Sequence, residues 1–310
     1  MIDVQNLTRT YGPLKAVDDV SFTIGPGEVV GLLGHNGAGK TTIMKMMSGF
    51  LEPTGGTIMV DQRVMATDRR AIQAMIGNLP ENCPVYLEMT VAGYLAYHAA
   101  LHGVGEDLVD ALLRETLERT GLIDKAGQMI GTLSRGYRQR VGVAQAILHR
   151  PRIVILDEPT NGLDPTQIQH MRCLIKELAK EAIIIISTHI LQEVQAVCDR
   201  VIIIQHGRKA LDASLAQLRV GQRLLVTVED RKEAVALLGS LNEITRVDCL
   251  PAENGQACFA LTGMRPAREL APAIAAAAIG WGWKLYGLEP ESRNLEKIFS
   301  EITMAAGREQ

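Results

Sequence analysis

Residues 28–49, EVVGLLGHNGAGKTTIMKMMSG, carry the pattern that decides the fold. An apolar run ends at Gly34. Gly34, four residues, Gly39, Lys40 and Thr41 then match G-x-x-x-x-G-K-[ST], and a stretch of helical character follows. Glycines let a main chain bend closely around an anion, while successive N–H groups and the positive end of the following helix point at it. The spacing predicts a phosphate-binding segment running through Gly34, His35, Asn36, Gly37, Ala38, Gly39, Lys40, Thr41 and Thr42. Lys40 is expected to reach the β- and γ-phosphates, and the Thr41 hydroxyl to ligate Mg²⁺. His35 occupies a variable place in the loop, and its side chain reads as solvated.

Three further runs have the character of EVVGLLG: RIVILDE (152–158), AIIIIST (182–188) and RVIIIQ (200–205). Nearly unbroken runs of Val and Ile are the mark of parallel strands covered on both faces, so the expected class is α/β. MIDVQNLTRTYG (1–12), AVDDVSFTIGPG (16–27) and GGTIMVD (55–61) instead alternate apolar and polar residues, which suits an antiparallel sheet with one wet face. Residues 90–150 read mostly as helix. In DLVDALLRETLERTG (107–121), Leu108, Leu112, Leu113 and Leu117 are expected to form one apolar face.

Composition narrows the function. The 310 residues, 47% of them apolar, suffice for one large domain and a smaller one. Thirty-two basic against 35 acidic residues give a net charge of -3, so no basic field exists to hold nucleic acid. The cysteines at 83, 173, 198, 249 and 258 lack metal-site spacing and read as reduced cytosolic thiols. The longest apolar run, LAPAIAAAAIGWGW (270–283), is too short for a bilayer and is broken by proline and glycine, and no charged apolar leader opens the chain. Neither membrane crossing nor secretion is expected.

Two acids close the strand RIVILDEP. An acid at the carboxyl end of such a strand suits magnesium, which assigns Asp157 to the metal, and Glu158, one residue on, can take a proton from attacking water. His189 follows the next buried strand and is placed to meet the γ-phosphate and that water. A basic cluster at a helix mouth, TLSRGYRQRVGVAQAILHR (132–150), holds Arg135, Arg138 and Arg140. The acidic balance favours an anion other than nucleic acid there, and Arg138 and Arg140 read as solvated.

In this order, GHNGAGKTT, LSRGY, ILDEP, NGLD and STH resemble the ATP-binding subunit of an ABC transporter over about residues 1–215. The resemblance implies a P-loop NTPase cassette with a parallel core sheet, an antiparallel β subdomain and a helical subdomain, using ATP and Mg²⁺. It further implies a homodimer that closes on two Mg-ATP molecules and drives a separately encoded permease from the cytoplasmic face of the inner membrane. Ser134, Arg135 and Gly136 are then expected at the γ-phosphate held by the other subunit, Asp164 at the dimer interface and Tyr11 on the adenine. LSRGY departs from the usual LSGGQ, and its Arg135 adds positive charge where phosphate lies. Locally, Asp164 reads as an N-cap before Pro165. In IGNLPENCPVY (76–86), Glu81 replaces a glutamine that in the family touches Mg²⁺ and marks the permease groove. Glu81 either ligates the metal or turns toward the permease, and the second arrangement is preferred.

The character of the chain changes near residues 215–222, which divides it into a cassette, 1–218, and an accessory domain, 219–310. Residues 222–303 read as β-α-β-β-α-β with an added helix, a small α+β ferredoxin-like layer that includes a turn at PAENG (251–255) and a last helix in SRNLEKIFSEIT (292–303). The ending LEKIFSEIT resembles exporter-type subunits of the gliding-motility and copper-enzyme-maturation (nitrous-oxide reductase) subfamilies, implying dimerisation or regulation, with metabolite sensing as the rival. A soluble ABC protein of translation or DNA repair would be expected to carry linked cassettes or a coiled-coil insertion. A non-hydrolysing assembly module would not need Glu158 and His189.

Overall fold

The computed structural model describes residues 1–219, 223–229, 233–251, 255–291 and 295–306. The chain forms two compact units, Met1–Ser214 and Leu215–Gln310, against an expected division at 218/219. In order, the first holds β1 (Ile2–Tyr11), β2 (Leu14–Ile24), β3 (Val29–Leu33), α1 (Lys40–Met47), β4 (Gly55–Val60), β5 (Arg63–Val64), α2 (Met65–Gln73), β6 (Ile76–Leu79) and α3 (Val91–Leu101). There follow α4 (Glu106–Thr120), α5 (Arg135–Ile147), β7 (Ile153–Asp157), α6 (Pro165–Leu178), β8 (Ile183–Thr188), α7 (Leu191–Val197), β9 (Arg200–Gln205) and β10 (Arg208–Ser214).

The apolar runs assemble into one sheet of order β10-β9-β3-β8-β7-β6, parallel except for β10 at one edge. Every residue of β3, β7 and β8 is buried, as strands covered on both faces require. Registers Leu33↔Thr188 and Asp157↔Ser187 bring the carboxyl ends of β3, β7 and β8 together. That edge is where open α/β sheets bind ligands. A second, antiparallel sheet of order β2-β1-β4-β5 turns Val4, Leu7, Val20 and Phe22 inward, into the same core as Ile43, Met44, Met46 and Met47 of α1.

The helices α3, α4 and α5 share a core of Tyr94, Leu95, Leu117, Leu122, Val141 and Leu148. The expected apolar face of α4 is corrected here: Val109, Leu112 and Leu113 pack inward, whereas Leu108 is 54% exposed. Positions 109, 112, 113 and 117 follow the helical period, and residue 108 falls a hundred degrees of arc away from 109.

The second unit comprises α8 (Leu215–Arg219), β11 (Arg223–Glu229), α9 (Ala234–Gly239), β12 (Ile244–Leu250), β13 (Gln256–Gly263), α10 (Ala267–Gly280), β14 (Leu285–Pro290) and α11 (Leu295–Ala306). Its sheet is antiparallel throughout, in the order β12-β13-β11-β14, which interleaves two β-α-β halves. Alternate residues Leu224, Val226 and Val228 join Phe259, Leu261, Leu238, Leu270 and Trp283 in one core. Within the expected elements, 231–232 at the start of the first helix, turn residues 252–254, and 292–294 at the start of the last helix lie outside the described residues.

Candidate active site

Gly39 caps α1 with φ 109°, and Lys40 opens the helix. The Lys40 ammonium is buried and donates to the carbonyls of Gly34 (2.7 Å) and His35 (3.2 Å). An ammonium has three donors, so one remains for an anion. Burial lowers the Lys40 pKa, while the carboxylates of Glu158, Asp157 and Glu81 oppose that shift and help keep the charge. Asn36, Gly37, Gly39, Lys40, Thr41 and Thr42 line a cavity of about 300 Å³ together with Ala16, Glu81 and Glu158. Gly34 and Ala38 are buried beneath the loop, and the His35 side chain is exposed, as its place in the motif suggested.

Asp157 ends β7 and is buried, and its Oδ1 accepts a hydrogen bond from the Ser187 hydroxyl. Glu158, also buried, stands in the left-handed region at φ 49°. Its Oε1 accepts from His189 Nδ1 at 2.9 Å, whereas its Oε2 is buried without a hydrogen-bond partner. An unpaired buried carboxylate oxygen is costly, by about 1–3 kcal/mol or more for a charged group, and such exceptions concentrate where chemistry uses them. His189 comes from the turn after β8 and is half exposed, so it joins the buried base to the open side of the site.

Thr41 and Asp157 line a second cavity of about 400 Å³, which Glu81 also borders. A hydroxyl and a carboxylate are the oxygen donors a hard cation such as Mg²⁺ accepts, with water and phosphate oxygens filling its other positions. The residues therefore fit the group: Thr41 and Asp157 would hold it, and when bound it would supply positive charge against the phosphate oxygens. Glu81 is exposed and faces this region.

The remaining expected positions lie elsewhere in the first unit. Ser134 caps α5, its oxygen accepting from Tyr137 N–H at 3.4 Å, which leaves the hydroxyl proton to donate. Asp164 caps α6 in a reciprocal capping box with Gln167, as its position before Pro165 indicated. The Gln167 side chain lies against Gly136, where a Cβ would meet its Oε1 at 2.1 Å. Arg135 extends over the NGLD turn, where a Cβ on Gly162 would meet its Cζ at 2.7 Å. Tyr11 is half exposed with the Arg9 guanidinium 4.8 Å from its ring centre.

Two arginines are corrected. Arg140 is not a free solvated side chain: it lies over the Tyr137 ring and donates to Thr120 O and toward His170 Nδ1. Arg138 is half-buried, with its Nε shut off from solvent. Sequence reasoning also missed Ser187 and Gln167. A hydroxyl closing the run AIIII was the available signal for Ser187, and the D-P-x-Q spacing of a capping box was the signal for Gln167.

The family model for "ABC transporter" matches residues 17–161. The chain is similar to the uncharacterized ABC transporter ATP-binding protein YxlF of Bacillus subtilis (strain 168), with 34% identity over 306 residues that cover 98% of this chain and 100% of the relative. It is 37% identical over 243 residues to the bacitracin transport ATP-binding protein BcrA of Bacillus licheniformis, covering 77% and 78% of the two chains. A solved ATP-binding subunit of an ABC transporter superposes with a TM-score of 0.66 at 31% identity, over 71% of this chain and 92% of that one. A phosphate loop running into α1, two buried acids at the carboxyl end of β7 and near full-length relatives lead to one conclusion: this chain belongs to the ATP-binding subunits of ABC transporters, Mg-ATP-dependent ATPases built on the P-loop cassette.

Proposed function

We propose that two copies of this chain close on two Mg-ATP molecules, each copy supplying its Ser134–Gly136 segment and Asp164 to the nucleotide on its partner's P-loop. One observation carries this reading. The cavity over the P-loop is lined by residues 16, 36, 37, 39–42, 81 and 158, and by none of 133–137 or 161–164. The anion-directed helix mouth of α5 thus has no place at its own chain's phosphate cavity, while its cap leaves Ser134 free to donate. In the closed state, Glu158 Oε2 accepts a proton from the attacking water, His189 holds Oε1, and Lys40 steadies the charge on the phosphates. Tyr11 offers an aromatic face to the base.

Hydrolysis drives a separately encoded permease, and the chain resides peripherally on the cytoplasmic face of the membrane through it. Among the described residues no helix is long and apolar enough to cross a membrane. Phe50, 80% exposed, and Tyr86 border a groove of about 470 Å³ next to Asn78 and Pro80, close in sequence to Glu81, where the permease docks. The transport is export, a reading supported by the resemblance of the C-terminal segment, and the second unit aids dimerisation or regulation.

The test is complementation between two inactive variants, Lys40→Ala and Ser134→Arg. In a mixed dimer one site combines both defects and the other has neither. Mixing equal amounts should restore about a quarter of wild-type ATPase, since half the dimers are mixed and each holds one intact site. No recovery, with mixed dimers demonstrated, would show that the segment acts on its own chain's nucleotide.

A further inference from the structure

We infer that Ser187 is a positioning residue which sets Asp157 and Glu158 together, so that the metal acid and the base are aligned by one hydroxyl. The inference rests on the ATPase reading of the site. Ser187 is fully buried near the end of β8, opposite Asp157 in the strand register. Its hydroxyl donates to Asp157 Oδ1 and at the same time accepts the Glu158 N–H at 3.2 Å, while its carbonyl accepts the same N–H at 3.1 Å.

The two uses of the hydroxyl are directional. Its single proton is committed to the carboxylate of residue 157, and a lone pair is committed to the peptide of residue 158. That peptide needs holding, because Glu158 occupies left-handed backbone at φ 49°. A non-glycine residue there is strained by about 1–3 kcal/mol and keeps the conformation only when its surroundings impose it. The imposed turn sends the Glu158 side chain to His189 at 2.9 Å and leaves Oε2 unpartnered. Removing the hydroxyl frees Asp157 Oδ1 and withdraws one of the two acceptors from the strained N–H. Asp157 then loses the bond that orients it, and the turn that aims Glu158 is held by the Ser187 carbonyl alone, although neither carboxylate is altered chemically.

A hydroxyl that merely filled space would affect stability alone, whereas an aligning hydroxyl affects the metal requirement and kcat. The experiment uses the full chain as wild type, Ser187→Ala and Ser187→Cys, the last filling the volume with a poor hydrogen-bonding group. Binding of a fluorescent ATP analogue is measured in EDTA and across a Mg²⁺ titration, and steady-state phosphate release is measured beside it. Both variants should keep the EDTA affinity within about twofold, which also reports a folded site. The half-saturating Mg²⁺ concentration should rise about tenfold and kcat fall about 10- to 100-fold with KM for ATP nearly constant, the scale on which metal sites respond to loss of a ligand's hydrogen-bond partner. A Mg²⁺ requirement and kcat within about twofold of wild type in both variants would overturn the assignment of Ser187, given that the scale above is at least tenfold. A wild-type chain that releases no phosphate would instead overturn the ATPase reading beneath it.

Discussion

Substituting alanine at Gly39 and, separately, at Gly37 tests whether the phosphate loop binds because its backbone holds a shape closed to side chains. Gly37 has φ 82° and open space where a Cβ would stand. Gly39 has φ 109°, beyond the left-handed helical region, and its Cβ would lie 2.6 Å from the carbonyl oxygen of Ala16. That carbonyl belongs to β2, where Ala16 sits at a bulge between Lys15 and Val17, each held in register with β1. Backbone strain alone costs Gly37→Ala about 1–2 kcal/mol, near the penalty for a left-handed non-glycine residue. Gly39→Ala adds overpacking against fixed backbone, for a total of about 3–5 kcal/mol. If the loop relieves this by leaving its binding shape, ATP affinity should fall roughly tenfold for Gly37→Ala and by about 100-fold or more for Gly39→Ala. Equilibrium titration with a fluorescent ATP analogue reads the difference, and urea denaturation shows how much of the strain is carried as lost stability. Affinity for Gly39→Ala within threefold of wild type, or Gly37→Ala as the worse variant, would refute the reasoning.

Acid should weaken the cassette through His149, which burial holds down at about 4 against an ordinary 6.5 and which stacks on His102 at 3.8 Å. The unfolded chain takes up this proton as pH falls below 6.5 while the folded chain does not until near 4, so stability is present above 6.5 and is lost across that window, by at most about 3 kcal/mol. His149→Phe should therefore reduce the loss of urea stability between pH 7 and 5, by at most about 2 kcal/mol because the ring is partly solvated, and an unchanged loss would discount the burial of this imidazole. Glu81→Gln should leave the isolated subunit's ATPase within about threefold, a cost below about 1 kcal/mol, while Glu81→Lys should impair stimulation by the permease in liposomes. A large rise in the Mg²⁺ requirement of the Gln variant would make Glu81 a metal ligand instead.

The parallel sheet was legible because Ile183–Ile186 and Ile153–Leu156 are apolar at every position, a pattern with few other uses. The phosphate loop was legible because its chemistry needs a fixed local spacing, from Gly34 to Thr41. What remained hidden depends on residues distant in sequence. Leu108 and Val109 are both apolar neighbours on α4, and only packing against α3 and α5 decides which of them turns inward. Arg140 looked solvated because its partners lie 20 and 30 positions away, at Thr120 and His170. Gly136 fits the expected anion-binding segment, yet the atoms crowding it belong to Gln167 of α6. Ser187 was not legible within STH because the partners of its hydroxyl, Asp157 and Glu158, lie 30 and 29 positions away, although the register Asp157↔Ser187 follows from pairing two parallel runs that are both apolar.

The central claim, ATP hydrolysis by a base acting between two copies, is tested most directly by Glu158→Gln. The amide keeps the volume of a buried side chain whose Oε2 has no partner, and removes its basicity. With Mg²⁺ and ATP, the variant should bind nucleotide as wild type does and release phosphate about 10²- to 10⁴-fold more slowly, the contribution of a positioned general base. It should also accumulate as an ATP-dependent dimer in size-exclusion light scattering. Phosphate release at the wild-type rate from a chain that stays monomeric with ATP would contradict the account.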